Sequence, residues 1–207
     1  MERVVWLFHR VESRPHLDFV EHYVKHHAVL GRELCRMLKG YTVNIVSAGH
    51  ENRGESPDAV TEHWVADVVD FLDIEKNYDS PEDRQRVFED DRTLIDHAFT
   101  KVYVGRDRVV VPGPLPEAVT GERTATDKLV LLYPSAAAAE TDIVPGTRVV
   151  DLVVDGELVM AERGKKRVPS DIAVIRTAWG LASHTPPPGV RVLAVEEYRQ
   201  IEAPESI

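Results

Sequence analysis

The sequence predicts an α+β fold built from two ferredoxin-like units in tandem, the second of them nearly all sheet. In the first half, the elements follow the order βαββαβ, which is the order of the ferredoxin-like split unit. Four more strand patterns follow a proline-rich stretch at 112–116. Residues 41–49 and 148–156 also match in their apolar positions and closing glycine, which indicates a degenerate internal duplication.

Hydrophobic periodicity and turn residues indicate the elements of the first half. The longest is an amphipathic helix, with Ser13 as its cap, Pro15 in its first turn and Lys39-Gly40 as its stop. The expected strands are 3–9, 41–48, 59–65 and 101–111, the expected helices are 15–38, 66–75 and 81–99, and a loop is expected at 49–57.

The second half is predicted to contain four strands and very little helix. The strand patterns lie at 128–133, 148–159, 171–179 and 190–198. The connection at 135–147 is too short for a second long helix, and the one at 180–189 contains Pro186-Pro187-Pro188. The expected domain organisation is therefore a first unit at 1–111, a linker at 112–127 and a degenerate second unit at 128–207.

Composition excludes several functional classes. The chain has 207 residues, of which 43% are hydrophobic and 29% charged, and a formal net charge of -10. This charge disfavours nucleic acid and anionic membranes as partners. The sequence shows neither a signal-peptide pattern nor an apolar run near the roughly 20 residues of a membrane-spanning helix, so we expect a cytoplasmic protein. The single cysteine, Cys35, excludes an internal disulfide.

The first helix carries a histidine on its apolar face. Apolar residues recur along this helix at steps of three and four, at 17, 20, 24, 31, 34 and 38. His27 falls inside this stripe, whereas His26 lies to one side and His22 lies nearer to solvent. We therefore expect the His27 imidazole to point inward, where a polar ring needs a hydrogen-bonding partner.

Three segments of the first half resemble a known family. The run Tyr23-Val24-Lys25-His26-His27-Ala28-Val29-Leu30 is similar to a Tyr-x-x-x-His-Ala-Pro-Leu motif. The strand at 58–65 is similar to Asp-x-x-x-Glu-x-Trp-Phe, and the helix segment at 90–96 to Asp-Glu-x-x-Phe-Ile-Asp. Residues 1 to about 111 thereby resemble the EthD-like family of the dimeric α+β barrel superfamily. The chain departs from these motifs at Val29, Val65 and Leu94.

The resemblance implies an architecture. In that superfamily two ferredoxin-like sheets pack face to face into a barrel, usually by dimerisation, and a cavity lies between each sheet and its helices. The fused second half would complete such a barrel within one chain, so the alternatives are a monomeric pseudo-dimer barrel and a homodimer. The strand at 149–154 agrees with this expectation, because it is apolar on both faces and must be covered on both.

Candidate site residues follow from the resemblance and from residue spacing. His27 and Asp91 are predicted to be catalytic, since Asp91 lies on the apolar stripe of the 81–99 helix and would orient the imidazole. Tyr23, Glu62 and Trp64 are predicted to bind substrate in the same pocket. Glu62 and Trp64 share one side of their strand, and His63 alternates to the other side. The alternative for each residue is a structural role in the core or in an ion pair.

Relatives in the superfamily suggest cofactor-independent chemistry. We expect a lyase, isomerase or cyclase that uses His27 for proton transfer on a small or medium apolar oxygenated compound, such as an aromatic or polyketide-like one. The alternatives are a cofactor-free monooxygenase and a non-catalytic protein that binds a hydrophobic ligand or supports a partner oxygenase. We expect no cofactor, because nucleotide-binding glycine motifs do not occur in the sequence.

We also expect no metal. His22 and His26 have the four-residue spacing of two ligands on one helix, but Tyr23 replaces the glutamate of the zinc-protease motif.

Overall fold

The computed structural model describes residues 1–47, 56–161 and 164–204. Most of the predicted loop at 49–57 lies outside the described residues. The strands are β1 (Glu2–Phe8), β2 (Leu38–Val46), β3 (Ala59–Val65), β4 (Lys101–Val111), β5 (Lys128–Tyr133), β6 (Arg148–Ala161), β7 (Gly164–Val168), β8 (Val174–Trp179) and β9 (Arg191–Ile201). The helices are α1 (His16–His22), a π-helical turn (Tyr23–His27), α2 (Ala28–Leu34), α3 (Val68–Leu72), α4 (Ile74–Asn77), α5 (Pro81–Leu94) and α6 (Ala136–Thr141).

Eight of the strands form a closed antiparallel barrel. The order around the ring is β4-β1-β3-β2-β9-β5-β8-β6, and pairing of β6 with β4 closes it. The remaining strand, β7, pairs with β6 outside the ring. The predicted barrel-like α+β fold is confirmed, and the ring closes within one chain. No helix among the described residues is long and apolar enough to cross a membrane.

The ring closes where β4 comes unusually near to β6. The pairing register shifts between Val104 and Gly105, which marks a β-bulge. A Cβ atom at Gly105 would collide with the carbonyl oxygen of Val153 on β6. Glycine at this position therefore permits the close backbone approach that joins the first half of the chain to the second.

The strands of the first half separate two environments. One face of β1 and β3 packs against the helices in an apolar cluster that includes Val4, Phe8 and Val65. The other face looks into the barrel, where Val5 and Val60 pack with apolar residues of the second half. The period-two alternation of each strand thus sends neighbouring residues to different compartments.

Several helices are shorter than the sequence predicts. The first helical segment ends at Leu34 rather than 38, because Cys35 is extended and the next two amides bind Asn77: Arg36 N–H donates to its backbone carbonyl and Met37 N–H to its side-chain oxygen. The 81–99 helix ends at Leu94, where the chain continues in an extended conformation. The 66–75 helix is divided into α3 and α4, and the aspartate that separates them caps α4.

Candidate functional site

A cavity of about 660 Å³ lies between the outer face of the first-half strands and the helices. Its volume is in the range of small-molecule binding sites. Most of the wall is aromatic or aliphatic, with Trp6, Phe8, Leu38, Phe71, Leu72, Ile74, Tyr78, Val87, Phe88, Val102, Leu158 and Val159 among the lining residues. Ionisable groups also line the cavity, and they include His27, His63, Asp91, Arg92, His97 and Glu157.

His27 reaches this cavity from a π-helical turn. The turn spans Tyr23–His27, and the Ala28 N–H donates to the carbonyl of Tyr23, five residues back. Such single turns inserted in α-helices occur often at functional sites. The His27 side chain is 9% exposed and lines the cavity, as the periodicity of the sequence predicts.

Asp90 holds the His27 ring in place. His27 Nδ1–H donates to Asp90 Oδ2 at 2.8 Å, and His22 Nε2–H donates to Asp90 Oδ1 at 2.6 Å. Burial opposes ionisation of Asp90, but the hydrogen bonds from the two imidazoles outweigh it and lower the pKa of this carboxyl to about 2. An ionised Asp90 can only accept hydrogen bonds, which fixes the proton of neutral His27 on Nδ1 and leaves Nε2 as a base.

Asp91 lies on the opposite side of the His27 ring. Its Oδ1 is 3.4 Å from His27 Nε2, and both residues line the cavity. Burial raises the pKa of Asp91, and the neighbouring charge of His27 opposes this effect only in part. The sequence predicts Asp91 as the partner of His27. The structure brings the two within 3.4 Å, but the hydrogen bond to His27 is made by Asp90.

Tyr23 also lies at the cavity. Its ring is fully buried, with its centroid 5.1 Å from that of His27, and its hydroxyl is 2.7 Å from Thr61 Oγ1. Burial raises the pKa of Tyr23 well above its ordinary value, so this side chain stays neutral at physiological pH. Its hydroxyl is thus a neutral polar group in the cavity wall.

The structure separates Glu62 and Trp64 from His27. Both face the barrel interior rather than the helices, and neither lines the cavity. The expectation that they share a pocket with His27 is therefore corrected. Trp64 Nε1–H donates to Asp107 Oδ2 at 2.8 Å, and the guanidinium of Arg3 lies 5.6 Å from the Trp64 ring.

Glu62 belongs to a buried charge network in the barrel. One oxygen accepts from Arg3 Nη1 at 2.9 Å, and the other accepts from Lys128 Nζ at 2.9 Å. Lys128 Nζ also donates to Glu197 at 2.9 Å and lies 4.6 Å from the Trp179 ring centroid. Burial opposes ionisation of Glu62, but the charges of Lys128 and Arg3 outweigh it and hold its pKa at about 2.

His63, which alternates to the other side from Trp64, is the cavity residue on β3. It contacts Tyr41, Phe71 and Trp6, with ring-centroid distances of 4.7, 5.4 and 6.2 Å. Strand alternation indicates that it faces away from Trp64, but only the structure shows that this is the cavity side. Asp90 and His63 are thus the functional candidates that the sequence leaves out. The sequence signal that could indicate Asp90 is the cluster of three histidines at 22, 26 and 27, which favours an acidic partner nearby.

A metal ion could be held at the outer edge of this site. His22, His26 and Asp90 offer ligand atoms that all lie within 4.8 Å of one another. His22 is 29% and His26 59% exposed at the side chain. An ion bound there would have to replace the hydrogen bond between His22 and Asp90, because a metal ligand and a hydrogen bond would compete for the same atoms.

Comparison with known proteins supports the fold but not an activity. No family model and no curated protein matches the sequence. Among solved structures, the chain is similar to one described as an anthrone oxidase-like protein, with 10% sequence identity and a TM-score of 0.53. The similarity covers 97% of this chain and 94% of the other. It supports an α+β fold with a closed barrel, which here forms within one chain.

Proposed function

We propose that this protein is a cofactor-independent enzyme that transfers a proton on a small or medium apolar oxygenated compound, with His27 as the acid–base group. The observation that carries the proposal is the position of His27. Its Nδ1 is bound to Asp90, and its Nε2 lies 3.4 Å from Asp91, at a cavity of about 660 Å³. The ionised Asp90 stabilises the imidazolium that forms when Nε2 accepts a proton.

Asp91 gives the accepted proton a second place to reside. Burial raises the pKa of this carboxyl. Its proton affinity is therefore closer to that of an imidazole than the proton affinity of an ordinary aspartate is. A proton taken by His27 can therefore be returned to another atom of the ligand without passing through bulk water. This sequence of steps is that of an isomerase or cyclase, or of a lyase that expels a leaving group after the proton is removed.

The walls of the cavity favour a flat, apolar ligand. Aromatic rings such as Trp6, Phe8 and Phe71 supply large apolar surfaces. Polar groups of the described cavity wall include His27, Asp91 and His63. This combination suits a ring system that carries a few oxygen atoms.

A cofactor-free oxidation is the second candidate. The structurally similar protein is described as anthrone oxidase-like, and an anthrone is an aryl ketone with an acidic C–H group. Removal of that proton by His27 would be the first step in both candidates. Oxidation also needs molecular oxygen as co-reactant, so assays with and without oxygen distinguish the two reactions.

The test is proton exchange into a panel of aryl ketones and polycyclic phenols, anthrone included, in deuterated water. We expect the native protein to exchange deuterium into at least one compound faster than buffer does, and His27→Gln to lower that rate by at least about 100-fold. His184→Gln is the matched control, because His184 pairs with Asp142 at 2.9 Å away from the cavity and should leave the rate unchanged.

Two outcomes would contradict the proposal. Equal exchange by the native protein and by His27→Gln would remove His27 from the chemistry. If compounds bind and none is altered, with or without oxygen, the protein is a binding or accessory protein for a hydrophobic ligand. Mass analysis of any molecule that co-purifies with the chain would identify that ligand directly.

We also infer that residues 1–111 form an EthD-like unit and that residues 128–207 form a second, degenerate ferredoxin-like unit, with 112–127 as linker. Strand order supports this. The first half contributes β4-β1-β3-β2 to the ring and the second half contributes β9-β5-β8-β6, so each half repeats one order of first, second, third and fourth strands. The short helix α6 would replace the first long helix in the second unit.

A further inference from the structure

The sheet wall of the cavity carries a histidine whose protonation the structure determines. His63 lies on β3 and packs among the rings of Trp6, Tyr41 and Phe71. The indole of Trp6 donates its Nε1–H to His63 Nδ1 at 3.1 Å. An indole nitrogen can only donate, so Nδ1 of His63 must accept and cannot carry a proton.

The second ring nitrogen of His63 is therefore a donor. Burial, together with the nearby charge of His27, lowers the pKa of His63 to about 3, so the ring is neutral at physiological pH. A neutral ring with Nδ1 unprotonated carries its proton on Nε2. Nε2 has no hydrogen-bond partner among the described residues, and His63 lines the cavity.

We propose that His63 Nε2–H is the binding subsite for a carbonyl oxygen of the ligand, at the same cavity as the acid–base group His27. The inference rests on the proposed function and specifies its substrate class, a ring ketone in which the carbonyl is conjugated with an acidic C–H. An acceptor atom is required because His63 presents a proton and no lone pair. An ammonium group, which has only protons to offer, is excluded from this position.

The two histidines then divide one reaction between them. His27 Nε2 accepts the proton as the C–H bond breaks, and the electron pair of that bond moves through the conjugated system to the carbonyl oxygen. The enolate oxygen receives the hydrogen bond from His63 Nε2–H, which strengthens as negative charge develops. Return of the proton from His27 to another carbon of the anion restores the carbonyl group and yields an isomer, with no change in oxidation state.

A matched pair of probes tests the subsite apart from turnover. Fluorenone and fluorene have the same three-ring shape, but only fluorenone has a carbonyl oxygen. We expect the native protein to bind fluorenone about tenfold more tightly than fluorene in a fluorescence or calorimetric titration. The infrared carbonyl stretch of bound fluorenone should move to lower frequency than in an apolar solvent, because the oxygen accepts a hydrogen bond.

Substitutions at position 63 separate the donor from the packing of the ring. His63→Phe should lose both the tenfold preference and the infrared shift while fluorene binding stays within about twofold. His63→Gln keeps an N–H donor and should retain part of the preference. The matched control is His26→Phe, since His26 is exposed and outside the cavity lining. Circular dichroism checks that each variant is folded.

The outcomes are distinguishable from those of the proposed function. Equal affinity for the two probes, an unshifted carbonyl band or an unchanged preference in His63→Phe would each overturn the subsite, even if His27 catalyses exchange. Failure of both probes to bind would overturn it as well. A fluorenone preference that depends on His63, in a protein that exchanges no deuterium, would support the subsite and refute the catalytic role of His27.

Discussion

Replacement of Lys128 by methionine tests whether the barrel interior depends on its buried charges. Lys128 is fully buried, and its ammonium is 2.9 Å from an oxygen of Glu62 and from one of Glu197. Methionine fills a similar volume but leaves both carboxylates without their shared cation. Removing one member of a buried ion pair typically costs about 3–5 kcal/mol, since the remaining charge stays desolvated.

The ionisation of Glu62 gives an independent magnitude. A pKa of about 2, against an ordinary value of 4.5, corresponds to roughly 3 kcal/mol of stability at pH 7. Because the folded pKa lies below the unfolded one, this contribution is present above pH 4.5 and is lost as pH falls toward 2. In Lys128→Met, one of the two cations that favour ionisation of Glu62 is missing, so the pKa of Glu62 rises. Protonation of Glu62 at lower pH should therefore reduce the loss of stability in the variant.

The assay is urea unfolding followed by circular dichroism at pH 7 and pH 4.5. We expect Lys128→Met to lose about 3–5 kcal/mol at pH 7 and to approach the native protein at the lower pH. Lys25→Met is the control, because Lys25 pairs with Glu21 at the same 2.9 Å but both side chains are about 70% exposed. The reasoning is refuted if the two variants lose equal stability, or if the difference from native does not change with pH.

Two further substitutions and one chemical modification probe the β4–β6 pairing that closes the barrel and the residues of the cavity. Gly105→Ala should destabilise the protein by about 1–3 kcal/mol or more in urea unfolding, because the added methyl meets the Val153 carbonyl; unchanged stability would contradict the close approach at this seam. Asp90→Asn should move the proton of His27 from Nδ1 to Nε2, because the asparagine amide can donate a hydrogen bond where the carboxylate accepted one. Nitrogen NMR of the imidazole shows which nitrogen carries the proton. A proton that stays on Nδ1 would argue against the hydrogen bond assigned between His27 and Asp90. Burial raises the pKa of Cys35 to about 11. Alkylation by iodoacetamide should therefore be slow at pH 8, and its rate should rise about tenfold per pH unit. Fast alkylation of the folded chain at pH 8 would show that the thiol is not buried.

Local patterns predict eight of the nine described strands, because each of these carries its own alternation and turn residues, whereas β7 at Gly164–Val168 is not predicted. The barrel-like fold could also be expected, since a strand such as β6 is apolar on both faces. The ends of the helices could not. The first helix stops at Leu34 because Asn77, more than 40 residues away, binds the amides that follow it, and periodicity within one segment contains no such contact.

Contacts from distant segments also decide the positions of single residues in the site, and local patterns do not contain them. Alternation correctly places Glu62 and Trp64 on one side of β3, but which side meets the helices depends on partners elsewhere. Glu62 lies in the barrel because Lys128, from the second half, neutralises it there. The apolar stripe of the helix predicts Asp91 as the partner, whereas Asp90, the preceding residue, is the one that His22, His26 and His27 approach.

The intramolecular closure of the barrel has a consequence for how the protein behaves on dilution. In a barrel shared by two chains, the seams carry a dissociation constant, and the fraction of assembled barrels falls with concentration. Here both seams, β2 with β9 and β4 with β6, join segments of the same polypeptide. Closure of the ring is therefore governed by folding alone, so the cavity beside it should persist unchanged from micromolar to picomolar protein.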